Sequence, residues 1–218
     1  MTRLPFDPVY DELPAVLPVF PLPGVLLLPG GRLPLNIFEP RYLNMVRDAL
    51  AGPRMIGMIQ PSEEAADVGG APLYRTGCAG RIVAFSETED GRYLITLAGL
   101  IRFEVARELD PRGGYRRVEP DFVPYRGDLE GDPGGIDRAR LFEALRGYLE
   151  VAGIEGDWGA IEDTEDEVLV ASLAMACPFE PREKQALLEA RTLPERAETM
   201  TALLRMAAHE RGAETLHH

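Results

Sequence analysis

Lys184 is the only lysine in a sequence that holds 22 arginines, and it decides several questions of chemistry at once. A phosphate loop of the G-x-x-x-x-G-K-[ST] type needs lysine on the phosphates, and Lys184 stands between Glu183 and Gln185 in no such context. A serine–lysine hydrolase needs a serine whose proton the lysine takes. Ser62, Ser86 and Ser172 are the only serines, and Ser172, in the apolar stretch VASLAMA, is nearest along the chain. A Ser172–Lys184 pair is therefore the form that a cryptic hydrolase would take, although no motif surrounds it. No G-x-S-x-G elbow occurs. His209, His217 and His218 gather at the C-terminus, where a tail is the structural reading. Cys78 and Cys177 belong to no C-x-x-C pair, so they read as small buried residues rather than zinc ligands or catalytic thiols. Asp128, Glu130 and Asp132 have the first, third and fifth spacing of a calcium loop. Pro133 and Ala139 then stand where glycine and glutamate are required, so the loop fails. Glu162 to Glu167 reads as charge at a helix N-terminus. The expectation is no catalytic residue, no metal and no cofactor.

Composition narrows the partners. The net charge is −13, which repels phosphate backbones and anionic lipid surfaces, so nucleic acid and membrane are disfavoured. A local cluster of Arg112, Arg116, Arg117 and Arg126 keeps RNA binding open as an alternative. Apolar residues make up 45%, ordinary for a globular protein. No run approaches a membrane span, since Val25 to Leu28 ends at Pro29. The opening MTRLPFDPVYDELP lacks the apolar centre of an export signal, so a cytoplasmic location is expected.

The elements fall into strands and then helices. Residues 1–15 are expected to be a flexible N-terminus. Apolar runs from Val16 onward are cut by prolines, which suits sheet edges better than central strands. A helix is expected from Pro40, with Tyr42, Leu43, Val46, Ala49 and Leu50 inward, stopped by Gly52-Pro53. Strands follow at Met55 to Ile59, Gly77 to Ser86, Tyr93 to Leu97, Ile101 to Val105 and Val118 to Val123. Turns fall at Asp90-Gly91 and Gly113-Gly114. Residues 126–135 read as an acidic Gly/Pro linker. Residues 136–210 read as a bundle of about four helices, with Thr164 and Glu167 as a capping box, and 211–218 as a tail.

The segment LPVFPLPGVLLLPGGRLPLNIFEPRYLNMV, beginning at Leu17, closely resembles the opening of the Lon protease N-terminal domain, in the free-standing bacterial form above all. The likeness continues through Cys78 to Ile82, Asp90 to Tyr93 and Gly99 to Phe103, and returns weakly at Glu183 to Glu189. The resemblance implies an α+β fold, a PUA-like β pseudo-barrel over residues 16–125 followed by the helical bundle. It also implies a non-catalytic module, without the ATPase and protease domains, that recognises unfolded or extended polypeptide or a protein partner. Its motif residues are Pro21, Pro29, Gly30, Pro34, Phe38, Glu39, Arg41, Tyr42, Gly99, Arg102 and Phe103, read first as builders of the fold. Any binding surface is expected at an exposed apolar patch including Leu27, Leu28, Arg32 and Leu33, where a strand edge also offers β-addition.

Overall fold

The computed structural model describes residues 7–62, 70–131 and 134–215. The chain divides into two units, Met1–Gly131 and Asp132–His218.

The first unit holds strands β1 (Leu17–Pro21), β2 (Arg32–Ile37), β3 (Met55–Ile59), β4 (Thr76–Glu87), β5 (Tyr93–Arg112) and β6 (Tyr115–Asp121), with helix α1 (Pro40–Leu50) between β2 and β3. The sheet order is β2-β5-β4-β3-β1-β6, and β5 also pairs with β6. Five strands thus form a closed ring, and β2 adds to the first half of β5. Closure removes the edges that an open sheet would expose. Leu17, Val19, Met55, Ile59, Ile101, Phe103 and Val118 belong to one buried core cluster of this unit.

The prolines of β1 do not make it an edge strand, as the sequence suggested. It pairs with β6 through Leu17 to Val19 and with β3 through Val19 to Pro21. Leu22 N–H donates to Ile59 O on the β3 side. Alternation directs the Pro18 nitrogen to that side too, where pairing begins only at Val19. The Pro21 nitrogen faces the β6 side, where pairing has ended. Each missing donor thus falls where no ladder runs.

The separate strands expected at Tyr93 to Leu97 and Ile101 to Val105 are one strand of 20 residues. Gly99 lies at the join. Its N–H donates to Gly31 O at 2.9 Å and its carbonyl accepts Gly30 N–H at 3.1 Å. The β4–β5 register shifts between Ala79 and Gly80, so β5 bends here instead of stopping.

Helix α1 starts at Pro40 and buries Tyr42, Met45, Val46 and Ala49, packing against β1, β3 and β6. The Phe20 and Tyr42 rings pack against each other, tilted by 40° with centroids 4.1 Å apart. Residues 1–6 of the expected flexible N-terminus lie outside the described residues. From Asp7 the chain is held: Asp7 is buried on Arg81 at 2.9 Å, and Tyr10 and Leu13 pack against the core cluster. Residues 63–69 also lie outside them. Residues 126–129, read as linker, continue a 3-10 turn spanning Val123–Leu129 that is tied to β5 through Asp128.

The described residues of the second unit hold five helices: α2 (Arg138–Ala152), α3 (Trp158–Asp163), α4 (Asp166–Ala176), α5 (Pro181–Glu189) and α6 (Leu193–Thr215). The long α6 packs against α2, α4 and α5. Arg196 is buried and donates to the carbonyls of Leu187 and Ala190, at the end of α5 where helix carbonyls lack partners. The expected capping box of Thr164 and Glu167 is absent. Glu165 is the cap of α4, and the Thr164 hydroxyl donates to Ala160 O, closing the short α3 that the sequence did not reveal. The inward face of α2 is Leu141, Ala144, Leu145 and Tyr148. Helix α6 extends through residues 211–215, read as tail; His217 and His218 lie outside the described residues.

Candidate functional site

Beyond the ring, β2, the first half of β5 and the end of β4 continue as a three-stranded sheet. Register sets its rows. Pro34, Thr96 and Ala84 share one row, and Asn36, Leu94 and Ser86 the next, so these six side chains lie on one face. The other face carries Ile95, 2% exposed, and Ile37, 1% exposed. The first face forms a groove of about 440 Å³ lined by those six residues with Leu35, Phe85 and Ile95. Leu94 is 45% exposed there. The lining contains no acid, base, histidine or cysteine, so Ser86 and Thr96 have no general base beside them.

Among the described residues no strand pairs with the outer side of β2. Because Gly99 N–H donates to Gly31 O, alternation turns the odd residues of β2 toward β5 and Arg32, Pro34 and Asn36 outward. Pro34 has no N–H, so the open edge lacks its middle donor. That blunts strand addition, the mode the sequence suggested, and leaves the groove face as the better contact surface.

Leu27 and Leu28 are not part of an exposed patch: they are 1% and 0% exposed, and Leu27 packs toward Gly80 and Gly99. The segment is buried because the 28–31 turn is hydrogen-bonded onto β5. Arg32 is exposed and Leu33 half-buried on β2. Pro21 and Pro29 are buried, Gly30 adopts φ 79°, and Pro34 lines the groove. Phe38, read first as a builder of the fold, is 63% exposed just beyond β2. Glu39 and Arg41 pair at 2.9 Å, and the Arg41 guanidinium lies over the Tyr42 ring, whose phenol burial pushes up. Arg102 and Phe103 are buried in β5.

Leu94, Ala84 and Thr96 line this groove and are not among the site residues expected from the sequence. Their signal is in the strand itself: Tyr93, Ile95 and Leu97 already supply a buried face, so a leucine at 94 belongs to a second apolar surface.

The alternative chemistries find little support. Ser172 is exposed on α4, whereas Lys184 is buried on α5, where desolvation lowers its pKa and the neighbouring Cys177 partly opposes the shift. Burial pushes the Cys177 thiol up to about 11. Since reactivity follows the thiolate, Cys177 should alkylate with iodoacetamide at pH 8 about a hundredfold more slowly in the folded chain than in the unfolded one. Mass mapping of the labelled peptide reads the rate, and equal rates would reject an inert thiol. Asp128, the first residue of the apparent calcium loop, is engaged by Arg102, while Asp132 and Pro133 lie outside the described residues. Among the described residues no three His, Cys, Asp or Glu gather as a metal site. The arginines of the possible RNA patch are occupied: Arg112 by Asp48, Arg116 by Glu108, Arg117 by the Asp110 carbonyl and Arg126 by the Tyr10 ring.

Residues 16–206 match the family model of the ATP-dependent protease La (LON) substrate-binding domain. Lon protease 2 of Myxococcus xanthus is 30% identical over 202 residues, covering 89% of this chain and 24% of that protein. Lon protease of Anaeromyxobacter dehalogenans is 31% identical over 135 residues, covering 60% of this chain and 16% of that protein. The chain thus spans about a quarter or less of these curated relatives. Two solved structures share the fold: a Lon N-terminal domain protein from Xanthomonas campestris and the N-terminal domain of Mycobacterium avium complex Lon protease. Their TM-scores are 0.60 and 0.62, at 24% and 17% identity, covering 86% and 87% of this chain and 97% of each.

Proposed function

This chain belongs to the LON substrate-binding domain family, and from that premise we propose that it is a non-catalytic module that binds extended or unfolded polypeptide in the groove between β2, β5 and β4. One observation carries the reading. The groove is an open, uncharged, apolar concavity with no acid–base pair in its lining, which suits side-chain burial and offers nothing for bond cleavage. Phe38 stands exposed at the end of β2 and adds an aromatic contact there. The ring closed by β5 and β6 supports the PUA-like pseudo-barrel description. A cytoplasmic setting goes with two buried free thiols, Cys78 and Cys177.

The test uses reduced, carboxymethylated α-lactalbumin as an unfolded ligand. Leu94→Glu and Ala84→Glu each put a charge on the groove floor and should weaken binding about tenfold, since a carboxylate there is desolvated without a partner. Both positions are exposed, so the melting temperature should hold within a few degrees. Retained affinity in both variants would remove the groove from the proposal. Hydrolysis of that ligand, lost in Lys184→Ala, would favour the enzyme reading instead.

A further inference from the structure

We propose that the groove reads polypeptide carboxyl termini, with Arg32 holding the terminal carboxylate; this rests on the groove reading above. Most of the described arginines of the first unit are spent on internal contacts. Arg81 meets Asp7, Arg102 meets Asp128 and Arg107 meets Glu119, while others hold carbonyls, a phenol or a ring. Among the described residues of the unit only Arg32 and Arg54 have no such partner. Arg54 lies in the turn after α1 with φ 59°, and its carbonyl accepts Ile82 N–H of β4 on the side of the sheet opposite β2. Arg32 lies on β2, and alternation puts its side chain on the groove face, one row from Pro34.

Geometry selects the end of a chain rather than its middle. Arg32 pairs with Ala98, and Ala98 with Arg81, so the three form the row that precedes the groove. In that row Arg81 is already closed by Asp7, a carboxylate 4% exposed that leads into the segment packed on the ring. An extended ligand running along the face from the Phe38 end meets this closed row and must stop there. From residue 32 to 38 the strand spans about 20 Å, the length of about six extended residues. The apolar side chains of such a ligand cover Pro34, Ala84 and Leu94, and its last carboxylate reaches the free guanidinium. Arginine offers a fork of donors matched to a carboxylate.

The experiment compares two fluorescent peptides, Ala-Val-Leu-Ala-Val-Leu with a free carboxylate and the same peptide amidated, on the intact chain. The free acid should bind about fivefold tighter, the scale of a partly exposed charged pair. Arg32→Gln should abolish that preference by weakening binding of the free acid. Arg54→Gln, at the other free arginine, should keep the preference. Equal binding of acid and amide by the parent chain overturns the carboxylate assignment and leaves the groove reading standing. A preference that survives Arg32→Gln overturns the role of Arg32. No binding of either peptide overturns both readings.

Discussion

Gly99→Ala should destabilise the first unit by more than about 4 kcal/mol, the scale reserved for changes that break a named structural feature. A Cβ built at residue 99 would lie 2.0 Å from Leu28 O and 2.8 Å from Leu28 C. The clash is with backbone, so no side-chain rotation relieves it. Moving the Leu28 carbonyl breaks its bond from Gly31 N–H at 2.9 Å and strains the two bonds between Gly99 and the 30–31 turn. It also shifts Leu26, Leu27 and Leu28, which are 2%, 1% and 0% exposed. Each buried leucine contributes about 1.5–3 kcal/mol of transfer free energy, so even partial exposure of the three reaches the stated scale. Gly127 meets nothing within 4 Å, and Gly127→Ala serves as the neutral control. Urea denaturation followed by circular dichroism measures both. A Gly99→Ala shift below about 1 kcal/mol would show that the turn yields freely, and the account of the 26–31 segment would fail.

The same segment shows what the sequence makes legible and what it hides. Helix α1 is announced locally by Pro40 at its first position and by Gly52-Pro53 beyond its end. Strand β3 is a short apolar run with buried side chains on both faces, and its limits coincide with the run. The turn at Gly113-Gly114 adopts φ 57° and 88°, the left-handed values that its glycines permit. What stays hidden depends on partners far along the chain. Proline in β1 reads as an edge signal, but which side of a strand lacks a partner is set by β3 and β6. The continuity of β5 depends on the 28–31 turn supplying hydrogen bonds at Gly99, about seventy residues away. The capping box at Thr164 fails because the side chain serves the helix before it.

The site was less legible than the fold. The motif from Leu17 identifies the family, yet its leucines at 27 and 28 are core, and a charge placed there tests folding rather than binding. A continuous apolar run and an exposed patch look alike in sequence, because burial is decided by what lies over the strand. The groove residues arrive from three strands, and only register brings Pro34, Thr96 and Ala84 into one row. Arg32 was among the candidates, but its isolation emerges only once the partners of the other arginines are known.

Asp128→Ala should cost about 3–5 kcal/mol, the loss expected when one member of a buried ion pair is removed. Asp128 was read first as part of a linker and of a failed calcium loop. In the fold it accepts from Arg102 N and Nε at 2.9 Å each and from Nη2 at 2.7 Å. The Arg102 side chain is 4% exposed and stacks over the Tyr125 ring at 4.4 Å. Truncating Asp128 leaves a desolvated guanidinium and removes the acceptor of a backbone donor, while exposing little new surface to rehydrate it. The pair also ties the turn of Val123–Leu129 to β5, next to the point where the first unit ends at Gly131. Asp128→Asn keeps the shape and one acceptor and should lose less. Arg102→Met combined with Asp128→Leu replaces the charges by apolar volume and should recover much of the loss, because desolvation of both ions is then avoided. Thermal and urea unfolding of the three variants separates the outcomes. If Asp128→Ala and the double variant lose the same stability, the cost lies in packing of the turn and not in the stranded charge.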